Sequence, residues 1–364
     1  MVTSTSTSPP TSTPSCLTFT PGPHGYVPPE ACNAQWAYSP SFSAAIALSV
    51  IFALLTLAHL ALAIVFRKRF CWVIIMASTW ETVAFTLRSL GSHNQQSEAY
   101  SIGSQLLFLL APLWVNAFVY MTAGRLIYAF HPDQKIWGFK ATSLGKWFVW
   151  LDVFSFIVQG AGGSMLGPGN DAKTMDAGKK VYMIGVGVQE LFILLFSSLI
   201  VKFHIDALVL DRQGLLPIRT GSGRTGGMWK WLTYSLYAVL VLITIRIIFR
   251  LVEFSGGIEP ANNKLPFEEG YALGLDAVPM VLAILILAVV HPGLVLRGEG
   301  SDFPTRKEMK AEKKALKAAV MERQRMKREG TLDVEMDVRR TNADMRGSEE
   351  RLVGVHEDLG RHAK

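Results

Sequence analysis

The sequence predicts an all-α integral membrane protein, a bundle of seven transmembrane helices with the N-terminus outside and the C-terminus in the cytoplasm. Three observations predict this class. Half of the 364 residues are hydrophobic, and they gather in long blocks. A helix needs roughly 20 mostly apolar residues to cross the hydrocarbon core, and blocks of about that length fall at 41–66, 71–90, 103–130, 147–166, 181–203, 229–255 and 268–291. Lysine and arginine favour the connections on one side, which is the bias that sets orientation.

Residues 1–40 form a Ser/Thr/Pro-rich segment without the basic start and short apolar core of a cleavable signal peptide. Thr3–Thr13 has the composition of a disordered stretch. Cys16 and Cys32 could form a disulfide if this segment lies outside the cytosol, whereas Cys71, at the head of an apolar block, is expected as a buried thiol.

The first block, 41–66, is followed by Arg67, Lys68 and Arg69, and the second by a connection, 91–102, with no basic residue. The third block contains Pro112 and leads to Lys135 and Lys140. The fourth is more polar and carries Gly160, Gly162 and Gly163. The fourth-to-fifth connection runs against the orientation rule with Lys173, Lys179 and Lys180, offset by Asp171 and Asp176. The fifth-to-sixth connection restores the rule with Arg212, Arg219 and Arg224. The seventh block opens on Glu268 and Glu269 and contains Pro279, a residue that kinks a helix or frees a carbonyl. Residues 41–296 are thus the membrane domain, and 297–364 form a basic cytoplasmic tail, partly helical or disordered. Its helix-forming stretch, Arg306–Glu329, could meet an acidic leaflet or a cytoplasmic partner.

Ionisable residues inside the blocks carry the functional information. Glu81, Arg88, Asp152, Glu190, Arg246, Arg250, Glu253 and Asp276 all lie there. An unpaired charge at a helix centre costs about 2.5–3.5 kcal/mol on insertion scales, so these groups must face the interior, pair or touch water. Positions seven apart fall within roughly 20° on a helix. Glu81 with Arg88, Asp152 with Gln159, Arg246 with Glu253, and Glu269 with Asp276 therefore each mark a polar stripe. Arg246, Arg250 and Glu253 suit a packing clamp. Glu81, Asp152 and Asp276 outnumber the basic residues that could pair with them, and the depths of the whole ionisable set predict a polar cavity weighted toward the outer half and reaching inward through carboxylates. Gln159 and Gln189 suit interhelical hydrogen bonding.

Several functions are excluded on composition. No G-x-x-x-x-G-K-[ST] loop is present for ATP, no Ser-centred nucleophile elbow, and no lysine in the seventh block for a Schiff base. His59 is the one histidine well inside a block, so a zinc-dependent intramembrane enzyme lacks its ligands. No cofactor is implied, and the basic tail carries no nucleic-acid motif.

Six ordered runs carry a family signature: ETVAFTLR at 81–88, APLWVNAFVYMTAGR at 111–125, FVWLDVFSFIVQGAGG at 148–163, RIIFRLVEFSG at 246–256, YALGLDAVPM at 271–280, and His291-Pro292-Gly293. With these the chain resembles the fungal lipid-translocating exporters, named for resistance to aminocholesterol and including sphingoid long-chain-base exporters, over about residues 24–296. The resemblance implies export or translocation of amphipathic lipids, roles in lipid asymmetry and resistance to toxic amphiphiles, and a plasma-membrane or endomembrane address. It directs attention to Tyr120 and Arg125 besides the ionisable set. Phe85 stands where the family commonly has tyrosine. A seven-helix lipid receptor or sensor fits the same topology and is the competing reading.

Overall fold

The computed structural model describes residues 18–28, 31, 33–166, 171–216, 227–256, 263–296, 303–304, 307–311, 314–328, 330 and 338–341. The expectations for Thr3–Thr13 and for a Cys16–Cys32 bridge lie outside them. Seven helices are long and apolar enough to cross a membrane. These are α1 (Phe42–Phe66), α2 (Trp72–His93), α3 (Glu98–Phe130), α4 (Ala141–Met165), α5 (Ala172–Arg212), α6 (Met228–Ser255) and a composite α7. Helix α7 starts as Glu269–Ala272, passes through a π-helical turn at Leu273–Ala277 and continues as Val278–Val289. A two-residue hairpin, β1 (Lys135–Ile136) with β2 (Phe139–Lys140), joins α3 to α4.

Helix starts follow from capping chemistry. Ser41 Oγ accepts from Ala44 N at the head of α1. Asp171 accepts from Thr174 N and Thr174 Oγ1 at the head of α5, and those bonds hold its carboxyl below the usual carboxylate range. The bundle is apolar on its outer surface as well as in its core. Val50, Leu54, Leu57, Ile64 and Val65 of α1 and Trp147, Trp150, Phe154 and Ile157 of α4 are exposed, a surface that suits lipid. Polar side chains act as glue between helices: Thr56 Oγ1 donates to Ser78 Oγ at 2.8 Å, and Ser49 Oγ meets Thr86 Oγ1 at 2.8 Å, across the α1–α2 interface. His59 is wholly buried with Nε2 3.0 Å from the Ile284 carbonyl, a contact between α1 and α7.

Helices α4 and α5 are longer than their apolar blocks, which were expected at 147–166 and 181–203. At about 1.5 Å per residue the 41 residues of α5 span ~60 Å, twice the hydrocarbon thickness. Its ends carry ion pairs suited to water, among them Lys180–Asp176 at 2.7 Å and Lys230–Asp211 at 2.8 Å. The two helices meet backbone to backbone at Gly162 and Gly178. A Cβ on Gly162 would sit 2.7 Å from the Gly178 carbonyl oxygen, whereas one on Gly160 or Gly163 would meet nothing within 4 Å. Gly162→Ala is therefore expected to cost about 1–3 kcal/mol through overpacking, and Gly160→Ala to change little. Thermal unfolding in detergent distinguishes them, and equal melting temperatures would refute the close approach.

The chain divides into two compact units, Met1–Phe303 and Pro304–Lys364. In the second, residues 307–311 and 314–328 are helical and, apart from half-buried Met309, exposed.

Candidate functional site

The polar residues of α2, α6 and α7 converge on one network. Asp276 is completely buried and ion-paired with both Arg246 and Arg250 of α6. Arg250 Nη1 also donates to Glu253 Oε2 at 2.9 Å, one turn along α6. The π-helical turn that carries Asp276 immediately precedes Pro279. Proline cannot donate to the carbonyl four residues back, and the wider turn absorbs that mismatch. Thus Asp276, expected to be surplus to its basic neighbours, is instead the hub that neutralises two arginines. Arg246 joins Asp276 rather than completing a clamp confined to α6.

Glu81 of α2 is the exception in this network. It is completely buried near Arg246, Arg250 and Asp276, and neither carboxylate oxygen has a hydrogen-bond partner among the described residues. It lies seven residues, about 10 Å, deeper along α2 than Arg88. Arg88 closes the outermost layer. Its Nη2 is 3.2 Å from Glu269 Oε1 and donates to the Tyr38 hydroxyl, and its guanidinium lies over the Trp36 and Tyr38 rings at 5.7 and 5.2 Å. Across these layers three guanidiniums (Arg88, Arg246, Arg250) face four carboxylates (Glu81, Glu253, Glu269, Asp276). One carboxylate is in excess, and the one without a partner is Glu81.

Above the network lies a cavity of about 270 Å³ lined by Trp36, Tyr38, Arg88, Phe108, Arg250 and Glu253, among others. It opens at the end of the bundle that holds the N-terminal segment. Residues of that segment roof it: Gln35 O accepts from Ser101 Oγ at 2.7 Å, Ser39 Oγ from Gln95 Nε2 at 3.0 Å, and Ser41 N donates to Glu269 Oε2 at 2.8 Å. Phe108 forms part of the wall, with its ring 5.7 and 5.8 Å from the Arg250 and Arg246 guanidiniums. Phe85, at the position where the resemblance expects tyrosine, packs edge-on to Phe108 and stacks on Phe52.

Asp152 belongs to a different place. It is buried between α3 and α4, where Oδ2 accepts from Asn116 Nδ2 at 3.0 Å and Tyr120 Oη at 2.9 Å. Gln159 Nε2 donates to Gln189 Oε1 at 2.8 Å, joining α4 to α5, and half-buried Glu190 accepts from Thr244 of α6. The eight ionisable positions therefore split: Glu81, Arg246, Arg250, Glu253 and Asp276 form one network with Arg88 above it, while Asp152 and Glu190 stand apart. Trp36, Tyr38, Phe108, Asn116 and Glu269 complete these two sites without having been singled out as site residues. The aromatic pair in Ala34-Gln-Trp-Ala-Tyr, just before the first block, is the one signal that pointed at the roof. No group of three or more His, Cys, Asp or Glu side chains among the described residues could hold a metal.

Residues 74–299 match the family of RTA1 like proteins. The chain is 44% identical over 301 residues to the probable lipid transporter atnI of Emericella nidulans, covering 82% of this chain and 78% of that protein. It is 30% identical over 209 residues to protoporphyrin uptake protein 1 of Saccharomyces cerevisiae, 57% of this chain and 64% of that one. Over 312 residues it is 21% identical to the sphingoid long-chain base transporter RSB1 of Saccharomyces cerevisiae, 75% of this chain and 78% of that one. No solved structure matches. With a multipass helical architecture and a family match that spans α2 to α7, the chain belongs to the RTA1-like family.

Proposed function

We propose that the chain translocates amphipathic lipids with a cationic headgroup, sphingoid long-chain bases being the class whose chemistry fits best. One observation carries this reading: the excess carboxylate, Glu81, buried beneath a cavity whose own charges are already paired. An ammonium on a single-chain lipid must cross hydrocarbon, where it costs several kcal/mol. The cavity gives it a polar vestibule of aromatic rings and carboxylates, and Glu81 supplies the next acceptor, about 10 Å deeper along α2 than Arg88 at the outer layer. Relatives named as a lipid transporter and a sphingoid long-chain base transporter support the same direction. In this reading the chain is a transporter and not an enzyme, and the plasma membrane is its site of action. In the same reading its N-terminal roof faces outward, and its basic tail meets an acidic inner leaflet or a cytoplasmic partner.

Liposomes containing the purified full chain test this. A fluorescent sphingoid base and a fluorescent anionic phospholipid are followed in parallel. The cationic lipid is expected to cross faster than in protein-free vesicles and about tenfold faster than the anionic one, the ratio that ~1.4 kcal/mol of headgroup recognition produces. Lipid-stimulated signalling in cells, with no lipid movement in vesicles, would assign the chain to the receptor class instead.

A further inference from the structure

Asp152 is the buried carboxylate that the ion-pair network does not use. It sits near the middle of α4, and one of its two donors, Tyr120, belongs to a cluster of aromatic rings. Tyr120 lies 5.5 Å from Phe148 and 4.4 Å from Phe196, ring centre to ring centre, and the two phenylalanines are 5.0 Å apart. No basic side chain among the described residues is ion-paired with it. Asn116 and Tyr120 of α3 both donate to Oδ2. Oδ1 is buried and has no partner among the described residues, and the same is true of the Asn116 amide oxygen.

These two leftover oxygens belong to side chains that already touch through Asn116 Nδ2 and Asp152 Oδ2. A proton on Oδ1 turns an unpartnered buried acceptor into a donor, while Oδ2 keeps its two donors. A metal cation is poorly served here, since sodium-like or divalent ions take several more oxygen ligands than these two. When the proton leaves, the donors on Oδ2 remain to hold the carboxylate. The same neighbours thus serve both states. Asp276 differs, because each of its carboxylate oxygens meets a guanidinium.

We propose that Asp152 is a proton-binding site, and that proton uptake and release there drives the lipid movement proposed above. The second half of this proposal rests on that transport reading; the first half does not. The other ionisable group that bears on the site is Glu190 of α5. It interacts with Tyr120 across the α3–α5 contact, and its Oε2 has no hydrogen-bond partner among the described residues. Glu190 is only half-buried, which makes it a carboxyl nearer the surface of the bundle than Asp152.

The experiment uses the full chain in two preparations. In nanodiscs, infrared difference spectra between acid and alkaline conditions report the carbonyl band of a protonated carboxylic acid. Asp152→Asn is expected to remove one such band while Glu81→Gln leaves it in place. In liposomes loaded with a pH-sensitive dye, addition of a sphingoid base to the wild-type chain is expected to move protons. Asp152→Asn is expected to reduce that proton flux at least tenfold and to abolish uphill lipid accumulation, while downhill equilibration of the lipid persists. Infrared spectra of Asp152→Asn that still contain every acid band of the wild type overturn the proton site. Unchanged proton flux in Asp152→Asn overturns the coupling. Wild-type protein that moves no lipid, yet retains the Asp152 band, overturns the transport reading and leaves the proton site standing.

Discussion

Asp276→Ala is expected to destabilise the bundle by about 3–5 kcal/mol, the usual consequence of removing one partner from a buried ion pair. Two guanidiniums, Arg246 and Arg250, would lose their common carboxylate inside a membrane domain. Arg250 would keep Glu253 at 2.9 Å, but Arg246 has no other ion pair among the described residues. Glu81 lies near enough to interact with Arg246 and offers partial rescue, so a loss in the lower half of that range is expected. Thermal unfolding in detergent, followed by the fraction that remains monodisperse, measures the effect. Adding Arg246→Gln to Asp276→Asn removes the stranded cation and should recover part of the loss, since deleting both charges avoids leaving one unpaired. An Asp276→Ala protein as stable as the wild type would show that the network contributes nothing to the fold.

Glu81→Gln is expected to do the opposite, sparing the fold and removing the activity. Substitution leaves three carboxylates against three guanidiniums and takes away no hydrogen bond, because Glu81 makes none with the described residues. Glutamine keeps the shape and loses the carboxyl group that an ammonium would meet. A charge-assisted hydrogen bond contributes about 1.5–3 kcal/mol, so translocation of a sphingoid base should fall roughly ten- to a hundredfold. Vesicle transport and thermal unfolding on the same preparation separate the two effects. Normal transport by a folded Glu81→Gln protein would remove Glu81 from the path, and loss of folding would make it a packing residue.

The two carboxylates invite opposite predictions although their sequence contexts look alike. Both lie within apolar blocks, and each pairs with a charged residue seven positions away, Glu81 with Arg88 and Asp276 with Glu269. Spacing along a helix says which residues share a face, and Glu81, Arg88 and Asp276 are indeed all buried. It does not say which helix that face meets. Asp276 turned out to face α6, and Asp152 to face Asn116 and Tyr120 of α3. Those partnerships depend on the order in which seven similar apolar rods pack, and an apolar block looks the same whichever neighbour it takes.

Helix number was legible because the bilayer sets a minimum length for a spanning block. Helix ends were less so. At Ala172 and Arg212 the helix continues past the apolar stretch on capped and charged turns, where hydropathy falls but hydrogen bonding does not. Of Gly160, Gly162 and Gly163, only Gly162 touches another backbone, a distinction that rests on a rotation of about 100° per residue and on the position of α5. The cavity roof was the least legible part. Trp36 and Tyr38 lie in a segment whose composition otherwise suggests no fixed structure, and the partners of that segment, Arg88 for the two rings, Ser101 for Gln35 and Glu269 for Ser41, come from three helices.

The π-helical turn at Leu273–Ala277 has a mechanical consequence. Such a turn holds one residue more than an ordinary helical turn, which amounts to about 100° of twist kept in reserve. If the surplus residue migrated along the helix, the segment it passed would revolve by that angle while Val278–Val289 stayed seated against α1 and α6. Asp276 lies within the turn, so its grip on the two arginines is set at a swivel rather than on a rigid rod.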